Sequence, residues 1–182
     1  MDNSFSHELK ELVSQSREVA IDLGYDYIST IHFFIADCEM NRVNSIKKFG
    51  FKSEDEYIKF KKDYTLAKED HLNFINDSLP LTKEAERTIR LSEVERILQK
   101  QKLVYPSHLF IAGLKNKESL LFECFKQDEN ALEKLVKYYT ESGELDKSKM
   151  SDSEMSKQYY DREKKSKESS LYKFKRLFKS KK

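Results

Sequence analysis

The chain has 182 residues, with 34 Lys+Arg against 32 Asp+Glu, 12 Phe, 10 Tyr, and only four Gly and two Pro. That length suits one domain with an appendage, and the scarcity of Gly and Pro argues against an all-β fold built on tight turns and a nucleotide site built on a Gly-rich loop. No run of about 18 apolar residues is present to span a membrane, and the polar start MDNSFSHELKEL lacks the basic and apolar stretches of a secretory signal, so a cytoplasmic protein is expected.

The first predicted element follows Ser6, whose hydroxyl can accept an amide hydrogen at an open helix end. Leu9, Leu12, Val13, Ser16, Ala20 and Leu23 recur at helical spacing and form one face, and Gly24 suits the stop. Thr30 is placed to cap a second helix over about Ile31–Lys48. Its first turns are apolar almost all round (Phe33, Phe34, Ile35, Ala36), which predicts a central position in the core. Ser53-x-x-Glu56 is a capping-box pattern opening a third stretch with Tyr57, Ile58, Phe60, Tyr64 and Leu66, continuing or restarting to Ile75. Asp77-Ser78-Leu79-Pro80 breaks the chain.

A second series then begins. Thr82 caps a helix, Ser107 after Pro106 caps another, and Asn130-x-x-Glu133 opens a last one with Leu132, Leu135 and Val136. Sliding the sequence by 76 residues superposes the two series without a gap. Phe5-Ser6 falls on Leu81-Thr82, Ser16 on Ser92, and Ile28 on Val104. His32, Phe34, Ile35 and Ala36 fall on His108, Phe110, Ile111 and Ala112, and Phe49 falls on Phe125. The expected architecture is all-α, two similar helical units from one internal duplication: a domain over 1–140, with repeats 1–78 and 79–140.

The C-terminal part differs. Residues 141–182 hold 13 Lys+Arg against 8 Asp+Glu, a net of +5, which leaves the other 140 residues at −3. Residues 141–170, rich in Ser, Lys, Glu and Asp, read as a flexible linker. The last twelve, LYKFKRLFKSKK, place Leu171, Phe174 and Phe178 on one helical face with Lys175 and Arg176 among the basic residues beside them. Twelve residues make a marginal helix alone, so a solvated basic tail is the plainest expectation, and a protein partner on which the tail folds is the first functional alternative. An anionic membrane or nucleic acid is the less favoured alternative.

Little points to catalysis. His32 and His108 lie just inside helix starts, where a histidine bonding nearby backbone is the plainest expectation. H-E-x-x-H and C-x-x-C are absent, so no metal site is expected, and Cys38 and Cys124 read as reduced core thiols. G-x-x-x-x-G-K-[ST] is missing as well. No cofactor, no small-molecule substrate and no enzymatic activity are expected.

Phe-Ser or Leu-Thr at the entry of each unit, Ala20-x-x-Leu23-Gly24, and Tyr27-Ile28-x-Thr30-x-His32 before an apolar helix together resemble the Clp N-terminal domain, the double-repeat module at the front of Clp-type AAA+ unfoldases. The resemblance covers about residues 3–138. It implies two pseudo-twofold-related helical repeats that bind adaptors, substrate proteins or peptides and carry no catalytic chemistry. It also implies a ligand surface between the repeats at Phe5 and Leu81, followed by Ser6 and Thr82, suited to a partner's amphipathic helix or unfolded segment. Partners implied are a AAA+ unfoldase, an adaptor, a substrate, or a sheath peptide of a contractile secretion apparatus. The family commonly has Thr-Glu-His before the second helix of each repeat, and some Gram-positive members use those glutamates for phosphorylated arginine. Here the glutamate positions hold Ile31 and Ser107, which leads to the expectation of a larger apolar patch and a less cationic ligand. Arg96 and Lys100 stand where the first copy has Ala20 and Gly24, so a longer or differently packed helix is expected there.

Overall fold

The structure is a computed structural model and describes residues 4–41, 48–66, 79–146, 149–151, 153–154 and 157. It is all-α. Among the described residues seven α-helices form: α1 His7–Asp22, α2 Thr30–Met40, α3 Glu54–Asp63, α4 Lys83–Leu98, α5 Pro106–Lys115, α6 Leu120–Phe125 and α7 Ala131–Glu141, followed by a 3-10 turn at Glu144–Asp146. Extended backbone pairs there only as isolated bridges.

The local chemistry explains the starts. Ser6 Oγ accepts from the Leu9 amide at 3.2 Å and Thr82 Oγ1 from the Ala85 amide at 3.2 Å. Ser53 accepts from the Glu56 amide, while the Glu56 carboxylate reaches back to the Lys52 amide at 2.6 Å, so the expected box closes one residue upstream of its usual place. Two expected caps are corrected. Ser29 rather than Thr30 caps α2, and Tyr105 rather than Ser107 caps α5, with Pro106 at the first helical position, where its missing N–H costs nothing. Short α6 was not foreseen. Its cap is Ser119, which accepts from the Leu121 and Phe122 amides. The stretch of the second predicted helix over 42–47 and of the third over 67–75 lies outside the described residues.

The same shift of 76 relates α1 to α4 at both ends, so the expected lengthening of α4 does not occur. The two helices do differ at their stops. Gly24 takes φ +89° and lets the Gly24 and Tyr25 amides bond back to Ile21 and Ala20; Lys100 takes φ +55° so that the Lys100 and Gln101 amides bond back to Ile97 and Arg96. A left-handed lysine carries a Cβ penalty that glycine does not. Lys100→Gly is therefore expected to raise stability by about 0.5–1 kcal/mol, seen as a rise of roughly 1–4 °C in a thermal melt.

Packing is of helix on helix. α1 lies on α2 and α4 on α5, and the units cross-contact through α1 with α5 and α2 with α4. The apolar helices α2 and α5 form the centre: Phe33, Phe34, Ile35 and Ala36, and Leu109, Phe110, Ile111 and Ala112, are all buried. Around Phe34 the rings of Phe49, Phe60 and Phe125 pack edge-on at centroid distances of 4.5–5.4 Å. Such T-shaped pairs add directionality to area burial.

The expected flexible linker from residue 141 is corrected over its described part. α7 runs through Glu141, and Leu145 and Met150 are buried. The buried Gln101 amide donates to the carbonyls of Leu145 at 2.6 Å and Glu144 at 3.3 Å, and the Met150 amide donates to Lys100 O at 2.7 Å. The folded body thus extends to at least Ser151. The tail residues Leu171, Phe174, Lys175, Arg176 and Phe178 lie outside the described residues.

Candidate functional site

The two units meet at a seam made by their entry segments. The Ser6 amide donates to Val104 O at 3.0 Å, and the Val104 amide donates to Ser4 O at 2.8 Å. In the other direction, the Thr82 amide donates to Ile28 O at 2.9 Å and the Ile28 amide to Pro80 O at 2.8 Å. The result is two parallel bridges, Phe5 with Val104 and Leu81 with Ile28. All four bonds map onto one another under the 76-residue shift, so each unit hands its entry strand to the other. Backbone pairing of this kind fixes where Phe5 and Leu81 stand, because the main-chain groups of the residues on either side of each are held.

Phe5, Leu81 and Thr82 are half-buried at this seam. Phe5 and Leu81 pack against the core with one side and leave the other open. Tyr27, 37% exposed, adjoins Ile28 and meets Tyr25 edge-on at 5.3 Å. The other expected site residues are corrected. Ile31 is 1% exposed and Ser107 fully buried, so neither adds to a surface, and the apolar patch expected from Ile31 is not formed by it. Ser6 is enclosed too, with its hydroxyl committed to capping α1.

A residue that sequence reasoning missed locks the seam. Glu84, in the first turn of α4, accepts from the Thr30 amide at 2.9 Å and the Thr30 hydroxyl at 2.8 Å, and from the Thr82 hydroxyl at 2.9 Å. A carboxylate at two helix N-termini is favoured by both helix dipoles. Thr30 Oγ1 in turn accepts from the Leu121 amide at 3.2 Å, tying α6 to the same point. The counterpart of Thr30 in the second unit is Pro106, which has no N–H to offer. Glu84 carried a signal only as an acid in a first helical turn, and nothing local said which second helix it would reach.

His32 and His108 behave alike. Each Nδ1 accepts the amide hydrogen of the cap residue three positions before it, from Ser29 at 3.0 Å and from Tyr105 at 2.8 Å. Nε2 therefore carries the ring hydrogen. Both imidazoles are fully buried. Burial holds both pKa values down, from 6.5 to about 4, with the nearby Arg96 charge adding to the effect at His108. They are neutral backbone staples at pH 7. Burial also raises the thiol pKa values of Cys38 and Cys124, which suppresses thiolate nucleophilicity. Among the described residues no group of three or more His, Cys, Asp or Glu is arranged to hold a metal ion, and no helix is long and apolar enough to cross a membrane.

No protein-family model matches the chain, and no curated protein matches it. Among solved structures, one from preliminary structural investigations of a malarial protein secretion system aligns with a TM-score of 0.54 and 16% identity, covering 77% of this chain and 95% of its own. At that identity the likeness concerns the helical fold.

Proposed function

We propose that this chain is a protein-binding module of the Clp N-terminal-domain type, acting without chemistry of its own. Its ligand is an amphipathic helix or unfolded segment of a partner protein, taken up at the seam between the two helical units. The observation that carries this reading is the reciprocal pair of bridges. They hold two half-buried apolar side chains, Phe5 and Leu81, at equivalent places on a rigid scaffold, the kind of pre-organised apolar contact that a partner helix uses. Among the partners considered, the likeness to a protein studied as part of a malarial protein secretion system is compatible with a component of a secretion apparatus; a AAA+ unfoldase or its adaptor rests on the sequence resemblance alone.

The test is affinity capture from the native cell with the full chain, with Phe5→Asp and Leu81→Asp versions whose helical circular dichroism is unchanged, and with the chain ended after Lys157. Recovery of an unfoldase, adaptor or secretion component is expected to fall at least about tenfold in either substitution, the effect of placing a charge in an apolar contact. Loss of 158–182 and moderate salt should leave recovery intact. Unchanged recovery in both substitutions would exclude the seam. Recovery that disappears with 158–182 and with salt would assign binding to the basic tail instead.

A further inference from the structure

Outside the seam, α4 carries an apolar stripe that the fold does not require. Val94, Ile97 and Leu98 follow one another at helical spacing and are 47%, 39% and 65% exposed. The equivalent positions of α1 are Glu18, Ile21 and Asp22, so the isoleucine is shared and exposed in both helices, while Val94 and Leu98 replace two acids and turn a single apolar residue into a stripe. A contiguous exposed patch of large aliphatic residues is a contact face in search of its cover.

We infer that the cover is this chain's own C-terminal segment, residues 171–182, docking as a short helix with Leu171, Phe174 and Phe178 on the Val94–Ile97–Leu98 stripe. The described residues nearest that segment in sequence lie at that spot. The Met150 amide bonds to Lys100 O, Lys149 bridges Gln101, and Lys102 pairs with Glu154 at 3.0 Å. Lys149, Met150 and Glu154 are thus held beside the C-terminal end of α4, which lies about 6 Å along the helix from Val94. Thirteen residues lie between Lys157 and Leu171, and a chain of that length reaches at most roughly 45 Å, enough to bring Leu171 to the stripe within one molecule. The spacing of Leu171, Phe174 and Phe178 gives an apolar face to set against the stripe, and a segment too short to be helical alone gains its helix on docking. The polar flank of α4 is mixed, with Glu86 and Glu93 beside Arg87 and Arg90. Apolar contact rather than charge therefore holds the segment, which sets this docking apart from salt-sensitive attachment of a basic tail to a membrane or nucleic acid.

The experiment places a photo-cross-linking amino acid at Leu98 in the full chain, with a second version carrying it at Ile21 as the control. Irradiation of dilute protein is expected to give a monomeric product whose cross-linked peptide maps to residues 171–178 for the Leu98 probe and not for the Ile21 probe. Phe174→Glu with Phe178→Glu should cut that product at least about tenfold, while raised salt should leave it unchanged. Dimeric products from the Leu98 probe would make a second copy the occupant and overturn the inference. Absence of a tail cross-link, or one indifferent to the two Phe substitutions, would overturn it as well. None of these outcomes bears on capture through Phe5 and Leu81.

Discussion

Between pH 7 and pH 5 the protein should lose about 4 kcal/mol of folding stability through two residues, His32 and His108. Both imidazoles are buried and neutral in the fold, with pKa values lowered from 6.5 to about 4. The unfolded chain therefore binds more protons than the folded one throughout the interval from 6.5 down to 4. The stabilising contribution is complete above the unfolded pKa and is lost as pH falls towards the folded one. Each histidine contributes about 2 kcal/mol of the loss at pH 5, and about 3 kcal/mol once pH falls to the folded value. Protonation also abolishes the function of the ring, because a cationic imidazole has no lone pair left on Nδ1 to accept the cap amide of Ser29 or Tyr105. Urea unfolding at pH 7, 6 and 5 measures the effect. Glutamine at both positions keeps an acceptor of suitable reach for the cap amide and carries no titratable group. The His32→Gln, His108→Gln protein should be nearly flat over the same range. If it keeps the full loss between pH 7 and pH 5, the histidines are not its source.

These histidines show how far the sequence carries. Their repetition at 76 residues, together with Ser6 and Thr82 before matching apolar faces, made the helix pairs and their order legible, because capping and periodicity are local properties. The role of the ring was legible too, as a bond to nearby backbone. Burial of individual side chains was not. Ile31 follows Thr30 at the start of a helix, where a reader expects solvent, yet it belongs to the buried core. Ser107 is enclosed in the same way behind Tyr105 and Pro106. The segment 141–151 reads as linker by composition, yet Gln101, Lys100 and Lys102 hold it by main-chain and charged contacts that composition does not register. Glu84 reaches Thr30 across 54 residues of sequence. Each of these contacts joins residues far apart in sequence, which local pattern does not register.

The second large effect lies where the repeat is broken. Asp37 and Lys48 form an ion pair at 2.7 Å with side chains only 5% and 7% exposed. The Lys48 ammonium also sits 4.9, 5.0 and 5.1 Å from the ring centroids of Phe49, Phe110 and Tyr139. The position equivalent to Asp37 in the second unit is Gly113, where an added Cβ would approach Leu121 to 2.8 Å, so the pair has no counterpart there and was not legible from the duplication. Asp37→Ala leaves an ammonium buried without its counter-ion and is expected to cost about 3–5 kcal/mol, a fall of roughly 6–20 °C in the melting temperature. The three rings offset part of this, because their negative faces stabilise the cation that remains. Lys48→Met removes the counter-ion of the buried carboxylate, to which Asn41 still donates at 3.4 Å, and is likewise expected to destabilise the fold by a few kcal/mol, about 3–5 at most. Joint replacement, Asp37→Ala with Lys48→Met, removes both desolvation penalties and is expected to cost clearly less than the sum of the two single losses. A double-mutant cycle by urea unfolding reads all four proteins. Strictly additive losses would show that the two charges do not depend on each other.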